Sequence, residues 1–354
     1  MLRKLTTSAM AMSIFANAFC QDSTQASALT ITGNADMYYK YDFANTKGNN
    51  YTSFTNSHRT FELGMASVKF NYKAGKTEVV ADLGFGKRAQ EFSYNDEGIL
   101  ASVKQLYISY SPTDKLKLTA GSWATHVGYE LVDATLNRNY SMSYMFTNGP
   151  FFHTGVKAEL TLKSSGLMIG IANPTDYKYV PDGFATSKTL IAQYSYSGGD
   201  KFKAYLNYAG GRGLDTSRSD QFDLVLTSKL SDKFGLGFNG TVNNTQIYMG
   251  NKIFADAQSW WGSALYVNFD PSKTFGLTLR EEYFSDKNGL KVYSGQPLGG
   301  NVFATTLSGN LRVDNFILIP EFRFDKASEP LFTDSKGVSS KSAASFLIAA
   351  VYQF

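Results

Sequence analysis

The chain has 354 residues, with 34 Lys and Arg against 30 Asp and Glu and a formal net charge of +4. So small and dispersed an excess gives no electrostatic footprint for a nucleic-acid partner. Charged residues are 18% and aromatics 15%, with 31 Gly and 8 Pro, which fits a membrane-facing β-protein better than a cytosolic α/β enzyme. Past the N-terminus no run approaches the ~18–20 apolar residues of a spanning helix. A membrane location for this chain therefore means a closed barrel.

Arg3 and Lys4 precede the apolar stretch Ala9 to Phe19. This order predicts a cleaved export signal over residues 1–20. Cleavage after Cys20 leaves Gln21 first; a cut after Ala18 is the alternative, and a buried N-terminal helix is the other reading of the stretch. Cys20 is the only cysteine. It also opens a lipoprotein alternative, against which stands Phe19, bulky where acylation motifs carry a small residue. With Cys20 removed no disulfide can form. Residues 21–354 then make one domain.

Leu29 to Phe43 alternates strictly. Leu29, Ile31, Gly33, Ala35, Met37, Tyr39, Tyr41 and Phe43 face one way, and Thr30, Thr32, Asn34, Asp36, Tyr38, Lys40 and Asp42 the other. A period of two over this length is a strand with one apolar and one polar face, as long as the ~9–11 residues of a tilted membrane strand or longer. From Thr60 to Lys73 the parity switches near Ser67, which predicts a bulge. Similar rows begin at Phe202, Phe234, Trp261, Phe275, Phe303 and Phe316. Pro320 falls mid-strand on an apolar face, where a second bulge is expected. Gly210-Gly-Arg-Gly213 lacks the Lys-Ser/Thr of a phosphate loop and reads as a loop tip. In the closing segment Phe346, Ile348, Ala350, Tyr352 and Phe354 share a face.

The connections alternate in length. Tight ones, rich in Gly, Pro, Asp, Asn and Ser, sit at Ala74-Gly75, Pro112 to Asp114, Ser164 to Gly166, Gly198 to Asp200, Ser231 to Lys233, Asp270 to Lys273 and Asp314-Asn315. Long ones lie near 44–59, 87–101, 124–151, 174–187, 210–219, 247–258, 286–301 and 326–342. These predict an all-β, up-and-down antiparallel transmembrane barrel of about 16 strands, with short periplasmic turns and long extracellular loops. Aromatics at the strand ends suit two interfacial girdles.

Asp36, Lys40, Glu62, Arg280, Glu282, Arg312, Glu321 and Arg323 fall on the polar parity and are the candidate pore-lining residues, as do Asp82, Lys203 and Asp223. At this strand number a water-filled lumen is expected; a solvated wall with no selective role is the plainer reading. The longest connection, 124–151, carries His126, Glu130 and Arg138 as candidate constriction residues if it folds inward rather than capping the barrel outside.

Gly121-Ser-Trp-Ala-Thr-His-Val-Gly-Tyr-Glu130, Asn139-Tyr-Ser-Met-Ser143 and Pro150-Phe-Phe-His-Thr-Gly155 resemble the β-barrel porins of the OmpL-like type, found in Bacteroidetes and related bacteria. The likeness is close over about 35 residues and departs at Met142, where arginine is common. It implies a barrel porin. The terminal row Phe346, Ile348, Tyr352 and Phe354 likewise resembles the signal read by barrel-assembly machinery.

The function expected is passive diffusion of small hydrophilic solutes across a bacterial outer membrane, with lipid and lipopolysaccharide around the barrel and no cofactor or metal. Trimerisation is expected by analogy. Two alternatives stand beside it: a barrel enzyme of lipase or hydrolase type, and a structural or adhesive barrel with an occluded lumen. His58, His126 and His153 have no metal spacing and no GxSxG elbow is present. Ser141 and Ser143 lie between two of these histidines, so a Ser/His dyad is conceivable.

Overall fold

The computed structural model describes residues 27–184 and 187–354. The proposed signal, residues 1–20, lies outside them. Sixteen antiparallel strands close into one barrel, each paired with its sequence neighbour. We number them β1 (Ala28–Asp42), β2 (Thr60–Ala74), β3 (Thr77–Phe85), β4 (Val103–Tyr110), β5 (Leu116–Ala124), β6 (Phe152–Thr161), β7 (Ser165–Ala172) and β8 (Thr189–Ser197). The second half is β9 (Phe202–Arg212), β10 (Arg218–Lys229), β11 (Phe234–Gln246), β12 (Gln258–Phe269), β13 (Phe275–Asp286), β14 (Gly300–Val313), β15 (Phe316–Ala327) and β16 (Ser342–Gln353). Short turns join them at one end and long connections at the other, as the sequence predicts.

Parity holds on the wall. Phe61, Leu63, Ile169, Leu206, Leu265 and Phe303 stand exposed on the outside, while Asp36, Asp223, Arg280 and Glu321 point inward and are buried. One outward charge sits in mid-strand. Glu281 pairs with Leu265 on β12 and Thr305 on β14, and the Thr305 hydroxyl donates to its carboxylate at 2.7 Å.

The β1–β2 bulge is present. Asp36 faces Gly64 and Met65 together, between the pairs Ala35–Ala66 and Met37–Leu63. It lies two residues before the switch seen in the pattern. Pro320, by contrast, makes no bulge. The β14–β15 register is the same on both sides of it, from Ser308–Glu321 to Leu311–Leu318, and only the bridges between are missing. Gly309 opposite has no side chain, and a Cβ there would lie 3.4 Å from the proline ring. The lost ladder bond is absorbed locally. Gly210 to Arg212 is not a loop tip either. These residues extend β9, and a Cβ on Gly210 would strike the Tyr208 hydroxyl at 2.1 Å.

The seam joins β1 to β16, from Asn34–Gln353 to Asp42–Ser345. Gly33 and Phe354 exchange both backbone hydrogen bonds at 2.9 Å. The Phe354 ring lies where a Gly33 side chain would be, 2.4 Å from an added Cβ, with the Ser67 carbonyl at 2.6 Å. Gly33→Val and Phe354→Ala should therefore both lower the yield of heat-modifiable barrel on unboiled gels. The valine variant should suffer more, since it also meets backbone. Wild-type yields from both would show that this packing does not help to close the seam.

Candidate functional site

The long connection after β5 turns into the lumen. Its path is fixed by backbone groups that lack strand partners and find wall side chains instead. Gly128 N donates to Asp223 at 3.0 Å and Tyr129 N to Asn239 at 3.3 Å. Asp223 is held in turn by the amides of Asn207 and Asn239 at 2.8 and 2.6 Å. Further on, Tyr140 N and Ser141 N donate to Glu321 at 2.7 and 3.1 Å. Tyr144 N and Met145 N both donate to Glu282 at 2.9 Å.

These last two open a short helix, α1 (Tyr144–Asn148), whose N-cap Ser143 accepts from Phe146 N at 3.0 Å. A helix start has free N–H groups, and a carboxylate facing them is the favoured partner. Arg280 serves the carbonyl side: it binds Glu130, and donates to Ser141 O at 2.7 Å and Thr306 at 3.1 Å. Arg323 donates to Met142 O at 2.7 Å and pairs with Asp325 at 3.0 Å. The Tyr140 hydroxyl reaches Asp36 at 2.6 Å.

Apolar contacts finish the attachment. Tyr140 packs with Tyr38, Ile319, Leu347, Ala349 and Val351. This explains why β16 is apolar on both faces: its inner row meets the loop rather than water. Met142, Phe146 and Phe151 pack with Phe54 of the first long loop. The lumen is thus occupied at mid-height by a cored insertion.

The candidate residues separate into groups. Asp36, Arg280, Glu282, Glu321 and Arg323 face the lumen and are covered by the inserted loop. Lys40 holds the first long loop through Asn50 at 2.6 Å and the Thr55 carbonyl at 3.1 Å. Glu62 is half-buried and accepts from Thr60 at 2.8 Å. Arg312 shares Asp270 with Arg138 at 3.1 and 2.8 Å.

The three loop residues do not converge. Glu130 lies in the buried centre and Arg138 is bound to the turn residue Asp270. His126 lies against the β9 wall, 3.0 Å from the Tyr208 carbonyl, beside the His153 ring. Neither Ser141 nor Ser143 is hydrogen-bonded to a histidine among the described residues.

Three anchors had no signal in the pattern. Arg88, on a second short helix, α2 (Lys87–Phe92), is fully buried near Asp36 and donates to Val132 O at 3.2 Å. Lys104 bridges Asp82 and Asp133 at 3.2 and 2.6 Å. It escaped because β4 carries a bulge at this point, between the pairs Asp82–Gln105 and Leu83–Val103, which breaks the parity. A third, Asp176, accepts from Phe151 N and Phe152 N at 2.7 and 3.0 Å and from the Tyr94 hydroxyl at 2.9 Å. Burial pushes its carboxyl up to about 6, against the pull of these donors.

Cavities lie on either side of the loop. One of about 270 Å³ at the long-loop end is lined by Tyr94, Asn148, Asp176, Gln221 and Asn243. Another of about 510 Å³ towards the short turns is lined by Asn34, Lys69, Asp82, Lys104 and Asp133.

A closed sixteen-strand barrel, apolar outside and narrowed by its own loop, is the architecture of an outer-membrane channel. Solved structures agree in fold. An anion-selective porin from Comamonas acidovorans matches with a TM-score of 0.63 at 11% identity, over 93% of this chain and 100% of that one. The outer-membrane channel DcaP of Acinetobacter baumannii matches at 0.62 and 12% identity, over 94% and 99%. OmpT of Vibrio cholerae, in its trimer form, matches at 0.62 and 12%, over 93% and 100%. No curated protein matches by sequence. Residues 28–354 match the family described as "Putative beta-barrel porin-2, OmpL-like", and the chain belongs to it. It is an outer-membrane channel for small solutes.

Two predictions follow from the anchors. Glu282→Ala with Glu321→Ala removes four charge-assisted hydrogen bonds from the loop, each worth about 1.5–3 kcal/mol. Faster chymotryptic cleavage at Tyr140 and Tyr144 and a larger single-channel conductance are expected; protection equal to wild type would count against the anchoring.

The second concerns pH. A carboxyl whose folded value lies above its unfolded one holds its proton more tightly when folded, so the Asp176 latch weakens as pH rises from 3.8 to about 6. Asp176→Asn keeps an acceptor for Phe151 and Phe152. Its amide protection factors at those residues should be flat across that window, where the wild type's fall.

Proposed function

We propose that the channel works by passive diffusion of small hydrophilic solutes, with the 124–151 loop as its constriction. The observation that carries this is the double attachment of the loop to Glu282 and Glu321 on the far wall. It fixes irregular backbone across the lumen, which is tolerated at membrane depth only inside protein or a wet cavity. Glu130 then belongs to the constriction core, and His126 and Arg138 to its two flanks. Asp36, Lys40, Arg280, Glu282, Glu321 and Arg323 act on permeation through the position of the loops they hold, while Glu62 and Arg312 meet the lumen more directly.

No catalytic role is assigned to Ser141, which sits on Arg280, or to Ser143, which caps a helix. Export by residues 1–20 and recognition of the Phe346, Ile348, Tyr352 and Phe354 face by assembly machinery complete the reading. A homotrimer is the favoured assembly, because OmpT, similar in fold, is solved as a trimer.

Planar-bilayer recording tests the core of it. Purified, heat-modifiable protein should give stepwise conductance, and liposomes carrying it should swell in small sugars faster than in large ones. Folded protein without conductance would sink the proposal. So would an esterase activity that Ser141→Ala abolishes.

A further inference from the structure

We propose that the channel prefers small anions, and that free lysines on the lower inner wall set this preference. The inference rests on the channel reading above and names its solute class: small inorganic and carboxylate anions.

Only charges that meet water shape the field along a pore, so the inward charges must be sorted by what they touch. At the height of the loop the carboxylates are occupied. Glu282 and Glu321 accept backbone N–H groups, Asp36 accepts Tyr140, and Glu130 and Asp325 pair with buried arginines.

Between the loop and the short turns the balance differs. The inward wall there carries Lys69 and Lys73 on β2, Lys117 on β5, Lys157 on β6, Lys203 on β9 and Arg312 on β14. Two of these are matched on the wall: Lys117 with Glu78 at 2.6 Å and Lys157 with Glu159 at 3.3 Å. Arg312 competes with Arg138 for Asp270, and Lys229, at the end of β10, pairs with Asp232 of the turn.

Lys69, Lys73 and Lys203 have no carboxylate within ion-pair distance among the described residues, and Lys73 and Lys203 are exposed. Lys69 lines the lower cavity beside the loop and stands opposite Asp82 in the β2–β3 register, in a cavity where Asp82 and Asp133 share Lys104. Lys73 lines the next one down, of about 510 Å³, with Lys76, Lys115 and Lys117 against Glu78 and Asp114.

The turns do not cancel this excess. They carry six lysines and five aspartates. The surplus therefore lies on the inner wall, where low-dielectric walls focus it. Ammonium groups on flexible stems act as point charges rather than as a fitted fork. The preference should therefore follow charge and size, without a single tight site.

The test is the reversal potential of the full-length channel across a bilayer with a KCl gradient. Wild type should favour chloride, more strongly near 0.1 M than near 1 M salt, where the screening length falls from about 10 Å to about 3 Å. Lys69→Glu, Lys73→Glu and Lys203→Glu combined should invert the sign, with Lys336→Glu, on an exposed outer loop, leaving it unchanged. Conductance with equal or cation-favouring permeability in wild type, or a triple variant with an unmoved reversal potential, would overturn the inference and leave the channel reading intact. No conductance from folded wild type would overturn both.

Discussion

A backbone N–H inside a bilayer has no water to turn to. The wall meets this constraint with a ladder that runs from β1 round to β16 and closes on itself. The same constraint reaches the inserted loop, whose residues 140–151 cross the barrel with only one short helix of their own. Here four carboxylates take the place of a neighbouring strand. Glu321 receives Tyr140 and Ser141, Glu130 receives Ser143, Glu282 receives Tyr144 and Met145, and Asp176 receives Phe151 and Phe152. The inward charge at this height is therefore demanded by the loop's main chain.

Such burial is costly unless every group is matched. An ion desolvated with its partner missing costs about 3–5 kcal/mol when one half of the pair is removed. The arginines meet this condition on the acceptor side: Arg280 and Arg323 share the carbonyls of Ser141 and Met142 while each holds a carboxylate. Loop and wall consequently form one unit, since losing Glu130 or Asp325 would strand an arginine and losing either arginine would strand an acid. The aromatic contacts of Tyr140 and Phe151 add non-directional burial, which alone would let the loop slide.

Much of this wall was legible in the sequence, and the reason is physical. Side-chain parity in a strand is a local property, so Asp36, Arg280, Glu282, Glu321 and Arg323 could be placed inward from neighbouring residues alone. Turns are local too, and Asp314-Asn315 or Gly198 to Asp200 announce themselves.

The destination of a 27-residue connection between β5 and β6 is not local. Nothing near Glu282 says that Tyr144 will reach it, 138 positions away. Lys104 was hidden by a bulge that breaks its strand's parity. Pro320 misled for the opposite reason: the rule about proline in a sheet is local, but the space that accommodates it comes from Gly309 on the next strand. The doubly apolar β16 does carry a local sign of the inserted loop. Leu347, Ala349 and Val351 face inward, which a strand lining open water would not afford.

The anchors and the lysines occupy different levels of the same wall, and that separation has a functional consequence. The loop is attached at mid-height through β1, β4 and β9 to β15. The unmatched lysines lie below it, on β2 and β9. If the loop is the constriction proposed above, a change at Glu282 or Glu321 alters how far it stands from the opposite wall, and hence which solutes fit. It leaves the lower lysines in place. A change at Lys73 or Lys203 alters the field without touching a single anchor. In the proposed channel width and sign are set by different residues, and distant residues contribute nearly additively. A barrel built this way can exchange one solute for another of the same charge by shifting its loop. It can change the preferred charge by surface substitutions that cost the fold little.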